Sequence, residues 1–161
     1  EEAEETEEEA ATAAESPAGH SLIGQEIPIS VAKAMDGGDL SLQHDGILVI
    51  DLWATWCGPC VQGMPHLQSV AKEYADQGVR VVGLSVDDKQ AKVTKFFRGA
   101  TVDYELGWIS KTGFETFEID GIPSLFIVDG DGVIRNYIGG YGKGDKRLDV
   151  ALTTILADAK E

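Results

Sequence analysis

The sequence predicts an α/β domain built on a central sheet, and three observations carry that prediction. Residues 47–53 and 79–86 are nearly continuous apolar runs, the pattern of strands covered on both faces. Between them Val61, Met64, Leu67, Val70, Ala71 and Tyr74 recur every three or four residues, which marks one apolar helical face. A strand, a helix and a second strand in that order form a βαβ unit with parallel strands and a right-handed crossover.

The other elements follow along the chain. Residues 27–34 and 40–43 flank Asp36-Gly37-Gly38-Asp39 and predict a short hairpin around a glycine turn ahead of the first buried strand. The first helix is expected to kink at Pro65 and to end near Gly78. Residues 89–98 are expected to be helical, 102–108 extended and 113–119 a short helix, an inserted β and α excursion. Residues 124–129 and 133–138 flank Gly130-Asp131-Gly132 and predict an antiparallel hairpin. Leu148, Leu152, Ile155, Leu156 and Ala159 then give a closing amphipathic helix.

The chain has 161 residues, 43% of them hydrophobic, which is one domain with a single core. Its formal charge of −15 opposes a nucleic-acid partner, because neutralising phosphates takes clustered Lys and Arg. Eight Glu and no base fall within residues 1–15, while the remainder carries 20 acids against 13 bases. A Glu/Ala/Thr tract without large apolar residues cannot bury enough surface to offset its ordering entropy. Residues 1–19 are therefore expected to be an acidic disordered linker and 20–161 the domain. A chain that opens at Glu1 on such a tether is expected to have lost an upstream signal or membrane anchor, which would put the domain outside the cytoplasm.

Chemistry concentrates in Trp56-Cys57-Gly58-Pro59-Cys60, which holds both cysteines of the chain where a buried strand hands over to a helix. Free backbone N–H groups and the helix dipole at that junction favour a thiolate at Cys57, the attacking species in disulfide exchange. Cys60, one turn on, is expected to be shielded and less acidic. Cys57 would attack a partner's disulfide, and Cys60 would then attack the resulting mixed disulfide and leave an oxidised pair, with Gly58 and Pro59 constraining the turn. Asp51 interrupts the first apolar strand six residues earlier; burial should raise its pKa, so that it can take the proton of Cys60.

Rival sites fare worse. A structural zinc site wants four ligands, and beyond the two sulfurs there are only His20, His44 and His66. Val61 follows Cys60 where haem attachment needs a His. Residues 129–132 lack the further acids of a calcium loop, and 139–144 lack the Lys-Ser/Thr ending of a phosphate loop. No metal and no cofactor is expected. Pro123, entering a strand after Ile122, is compatible with a cis peptide.

Residues 51–60, Asp-Leu-Trp-Ala-Thr-Trp-Cys-Gly-Pro-Cys, with Pro65 and Gly121-Ile122-Pro123 downstream, resemble the thioredoxin superfamily over about residues 21–160. The leading hairpin, residues 82–87 and the inserted unit are similar to its TlpA/ResA-like branch of extracytoplasmic thiol-disulfide oxidoreductases. The resemblance implies a thioredoxin-like fold, with Cys57 as nucleophile, Cys60 as resolving thiol, Asp51 as buried acid and Pro123 as a cis-proline facing the sulfurs. It further implies that Trp56, Ile122 and the Gly139-Gly140 turn line a groove in which a partner peptide lies extended and pairs with the backbone of Ile122, with Gly58, Pro59 and Pro123 also expected to contact the partner. Gly63 stands where many members of that branch carry a Glu, and Gly83 where general thioredoxins carry a Lys.

The expected activity is reduction of protein disulfides in the periplasm or cell envelope by a monomer. Its partners would be disulfide-bearing proteins and an electron-donor thiol protein, soluble or in the membrane. Two alternatives stand beside it: a redox-gated binding module or copper metallochaperone on the same fold, and a general cytosolic thioredoxin.

Overall fold

A computed structural model describes residues 20–97, 102–142 and 144–159. The acidic linker expected at residues 1–19 lies outside the described residues. Seven strands form one mixed sheet: β1 (Val31–Ala34), β2 (Asp39–Ser41), β3 (Leu48–Trp53), β4 (Arg80–Ser85), β5 (Glu105–Trp108), β6 (Ser124–Val128) and β7 (Ile134–Gly139). Four helices are described with them: α1 (Gly58–Glu73), α2 (Gln90–Phe96), α3 (Lys111–Glu115) and α4 (Arg147–Ala159). The strand order is β2-β1-β5-β4-β3-β6-β7. β3 and β4 run parallel, as do β4 and β5, while β6 is antiparallel to β3, β7 to β6 and β1 to β5. Among the described residues the leading hairpin thus joins the sheet through β5, the strand of the inserted unit.

All six residues of β3 are buried, as a strand at the centre of a sheet covered on both faces requires. Its side chains sort by alternation. Leu48, Ile50 and Leu52 enter one apolar cluster with Phe117, Phe126 and Ile134. Val49 enters the opposite cluster with Leu67 and Val70 of α1, Leu125 of β6, and Leu148 and Leu152 of α4. Asp51 and Trp53 share the face of Val49, so the one acid of the strand points to the side that α1 covers.

Three boundaries differ from expectation, each for a local reason. β1 begins at Val31 because the preceding residues pair elsewhere: Ile27 N donates to Gly132 O at 3.0 Å and Glu26 bridges to Val133. The first helix closes at Tyr74, whose N–H donates to Val70 O, and a 3-10 turn (Ala75–Gln77) then leads to Gly78, at φ 84° the glycine that reverses the chain into β4. α3 spans Lys111–Glu115 instead of residues 113–119, because Ser110 caps it by accepting from Gly113 N at 3.1 Å. α1 runs across Pro65, which cannot donate to the carbonyl of Val61.

Candidate active site

Cys57 is the N-cap of α1, with extended backbone at φ −97° and ψ 103°, and Gly58 and Pro59 follow as the first helical residues. Its Sγ accepts the backbone N–H of Cys60 at 3.2 Å, the bond a Ser or Asp oxygen makes at an ordinary N-cap. Proline suits this position, where the helix has no use for its N–H. The two cysteines are joined as a disulfide with Cα atoms 5.3 Å apart. Cys57 is 6% and Cys60 2% exposed, whereas Trp56 beside them is 69% exposed. The pair is therefore approached from the side of Cys57.

The segment after α3, which leads into β6 beside β3, meets the sulfurs. The Ile122–Pro123 peptide is cis, and Cys57 Sγ lies 3.9 Å from the carbonyl oxygen of Ile122. Gly140, at φ 68°, donates its N–H to Pro123 O at 3.0 Å and ties the end of β7 to this segment. Ile122 borders two depressions. One, of about 700 Å³, is lined by Trp56, Val86, Trp108 and Phe114, with Asp120 at its margin. The other, of about 500 Å³, is lined by Pro123, Gly139, Gly140 and Tyr137. Of the residues expected to contact a partner, Trp56, Ile122, Pro123, Gly139 and Gly140 line these depressions; Gly58 and Pro59 line neither and stand exposed at the helix start.

Asp51 is 1% exposed, and burial pushes its carboxyl up to about 8. In the sheet it lies between Gly83 of β4 and Leu125 of β6, neither of which offers a charge. The three histidines are engaged elsewhere: His20 with Glu118 O at 3.0 Å, His44 with Gly78 O at 2.8 Å, and His66 with Asp149 at 3.1 Å.

Asp87 is a site residue that sequence reasoning passed over. Only 2% exposed, it accepts from Thr55 N at 3.0 Å, Thr55 Oγ1 at 2.7 Å and Ser85 Oγ at 2.6 Å. Trp108 Nε1 donates to its carbonyl at 2.7 Å. The carboxylate thus fastens the loop before Cys57 to the end of β4, and the backbone carbonyl of the same residue holds Trp108 at the end of β5. The available signal was Ser85-Val86-Asp87 at the end of a strand that pairs in parallel with the one leading to the cysteines. Asp87→Ala leaves three donors without their acceptor, so a loss on the order of 3 kcal/mol is expected. Thermal unfolding checks this, and an unchanged melting temperature would show that the loop holds without the carboxylate.

Comparison with known proteins gives the same reading. The family model AhpC/TSA matches residues 23–137. Thiol-disulfide oxidoreductase ResA of Bacillus thuringiensis subsp. konkukian is 28% identical over 123 residues, spanning 73% of this chain and 70% of the relative. Thioredoxin-like protein YneN of Bacillus subtilis is 32% identical over 120 residues, 70% of this chain and 69% of the relative. A crystal structure from Chlorobium tepidum, assigned as thiol:disulfide interchange protein DsbE, superposes with a TM-score of 0.77 at 23% identity, covering 83% of this chain and 97% of its own. That superposition makes the fold thioredoxin-like. With its cysteine pair at the head of α1 and a family match across most of its length, the chain belongs to the AhpC/TSA family and stands among the thiol-disulfide oxidoreductases.

Proposed function

We propose that this protein reduces disulfide bonds in other proteins, with Cys57 as nucleophile, Cys60 as resolving thiol and Asp51 as proton acceptor. The observation that carries the reading is the N-cap: the sulfur at position 57 receives a backbone N–H from residue 60 at 3.2 Å. In the reduced protein the same amide stabilises negative charge on that sulfur.

The Cys57 thiolate attacks one sulfur of a partner's disulfide, forming a mixed disulfide and releasing the partner's other sulfur as a thiolate. Cys60 then gives its proton to ionised Asp51 and attacks Cys57 Sγ; the mixed disulfide breaks, the Cys57–Cys60 bond forms, and the partner leaves as a dithiol once solvent protonates its sulfurs. Two electrons pass to the partner, and an electron-donor thiol protein, soluble or in the membrane, must return them. Trp56, Ile122, Pro123, Gly139 and Gly140 receive the partner segment, with the backbone of Ile122 available for strand-like pairing. The exposed Trp56 supplies apolar contact area at the edge of the groove.

We place this activity outside the cytoplasm, with residues 1–19 as the tether. Among the described residues no helix is long and apolar enough to cross a membrane, so an anchor would lie elsewhere. Equilibration with glutathione tests the direction of electron flow. A potential toward the reducing end of the family, near the about −270 mV of thioredoxin, is expected, together with catalytic reduction of insulin. A potential near the about −120 mV of the strong oxidants would overturn the reductase reading.

A further inference from the structure

Four buried side-chain atoms among the described residues lack a hydrogen-bonding partner: Asp51 Oδ1, Trp53 Nε1, Tyr104 OH and Tyr141 OH. They are gathered in one place. Asp51 and Trp53 are two apart on the same face of β3. Opposite Asp51 in the sheet is Gly83, and a Cβ there would stand 3.2 Å from the Tyr104 ring and 3.3 Å from Trp53 Nε1. On the covering helix Gly63 plays the same part, since a Cβ there would come within 2.8 Å of the Tyr141 ring. One glycine on the strand and one on the helix thus make room for two tyrosines. Burial, and after it the charge of Asp51, pushes the ionisation of both hydroxyls upward.

The chemistry of the set is one-sided. Tyr104 OH, Tyr141 OH and Trp53 Nε1 are three donors, and the carboxylate of Asp51 is the acceptor among them. Each unpaired buried polar group costs about 1–3 kcal/mol, so phenylalanine would serve packing better at either tyrosine position. Four unpaired polar atoms grouped in this way would supply the two to four partners that a buried water uses.

We propose that Tyr104 and Tyr141 are positioning residues for Asp51, donating hydrogen bonds to its ionised carboxylate through buried water so that it can accept the proton of Cys60. The inference rests on the reading of Asp51 given above. Hydrogen bonds to the charged form oppose the effect of burial and hold the carboxyl close to neutrality instead of far above it. Trp53 packs in one cluster with Cys60 and Met64, which carries the donor set toward the resolving sulfur.

The other groups facing Asp51 are few. β4 and β6 present Gly83 and Leu125; on the same side α1 packs Leu67 and Val70, with the hydroxyl of Tyr74 at its far end, while Cys60 sits in the cluster of Trp53. Tyr141 in turn feels charges from α4 and from the turn ahead of it. Asp145 and Asp149 act on it, and His66, 3.1 Å from Asp149, lies with its ring centroid 6.0 Å from the Tyr141 ring.

The test is a carbon-13 NMR titration of the Asp51 carboxyl in the reduced, full-length protein, compared with Tyr104→Phe and Tyr141→Phe. Each substitution should raise the Asp51 midpoint by about one pH unit, a tenfold change in its acid–base ratio. The pH midpoint of the release step, followed from a mixed disulfide with a chromogenic thiol, should move the same way. An unmoved or lowered midpoint would overturn the proposal and leave the tyrosines as packing. Should either variant fail to fold, replacement of all four tyrosines by 3-fluorotyrosine keeps the packing and strengthens donation, so the midpoint should fall; no movement there overturns the proposal as well. The titration does not depend on the activity reading. A wild-type protein unable to reduce disulfides would sink that reading alone, and an unmoved midpoint in an active protein would sink this inference alone.

Discussion

Replacing Cys60 by serine should turn the protein into a trap. Cys57 would still attack a partner's disulfide, but with no resolving sulfur the mixed disulfide persists, and turnover should fall on the order of 10³-fold or more while a covalent adduct accumulates. Cys57→Ser should lose the same activity without forming any adduct, because the 2% exposed Cys60 cannot reach a protein disulfide in its place. Non-reducing electrophoresis against insulin separates the outcomes. A Cys60→Ser protein that turned over at the wild-type rate would reverse the assignment of roles. The burial difference that sets these roles comes from the helix: one cysteine caps it, and the other sits one turn inside, against Trp53 and Met64.

Asp51→Asn should stabilise the oxidised protein, and increasingly so as pH rises. The carboxyl ionises near 3.8 when unfolded but at about 8 in the fold, so between those values the native state holds a proton that the unfolded state has released. Wild-type stability therefore declines through this window from this group. The amide has nothing to ionise and escapes the decline. The difference should be near zero below pH 4, about 4 kcal/mol in favour of the variant at pH 7, and constant above the native pKa. Denaturant melts of the two proteins from acid to alkaline pH measure it. A difference that did not change with pH would mean that Asp51 is not the buried, desolvated acid described here. Kinetics should run the other way: release from the mixed disulfide should slow in Asp51→Asn at neutral pH and recover at high pH, where Cys60 ionises unaided. A stabilised but slowed variant is the expected signature of an acid retained for its proton chemistry.

The features that were legible in the sequence are those set by near neighbours in the chain. The Cys57 N-cap follows from a buried strand that ends four residues before Cys57 and a helical pattern that sets in at Val61, and the burial of Asp51 follows from the apolar residues on either side of it. The edge of α3 was misplaced because periodicity registers only where Phe114 and Phe117 begin to pack, whereas the helix starts where Ser110 supplies a cap. Asp87 was hidden for a different reason. Its donors at Thr55 lie 32 residues away and reach it only because β3 and β4 pair in parallel. Tyr104 and Tyr141 were more remote still, coming from opposite flanks of the sheet. Nothing in the local sequence of either announces that Gly83 and Gly63 leave space for it above Asp51.

The central claim is that the sulfur capping α1 is unusually acidic in the reduced protein. Iodoacetamide alkylation as a function of pH, with mass-spectrometric assignment of each modified cysteine, tests it directly. Cys57 should react with a half-point well below the about 8.5 of free cysteine, and Cys60 at or above that value. If both cysteines react with the profile of a free thiol, the helix terminus does not activate Cys57 and the mechanism built on it fails.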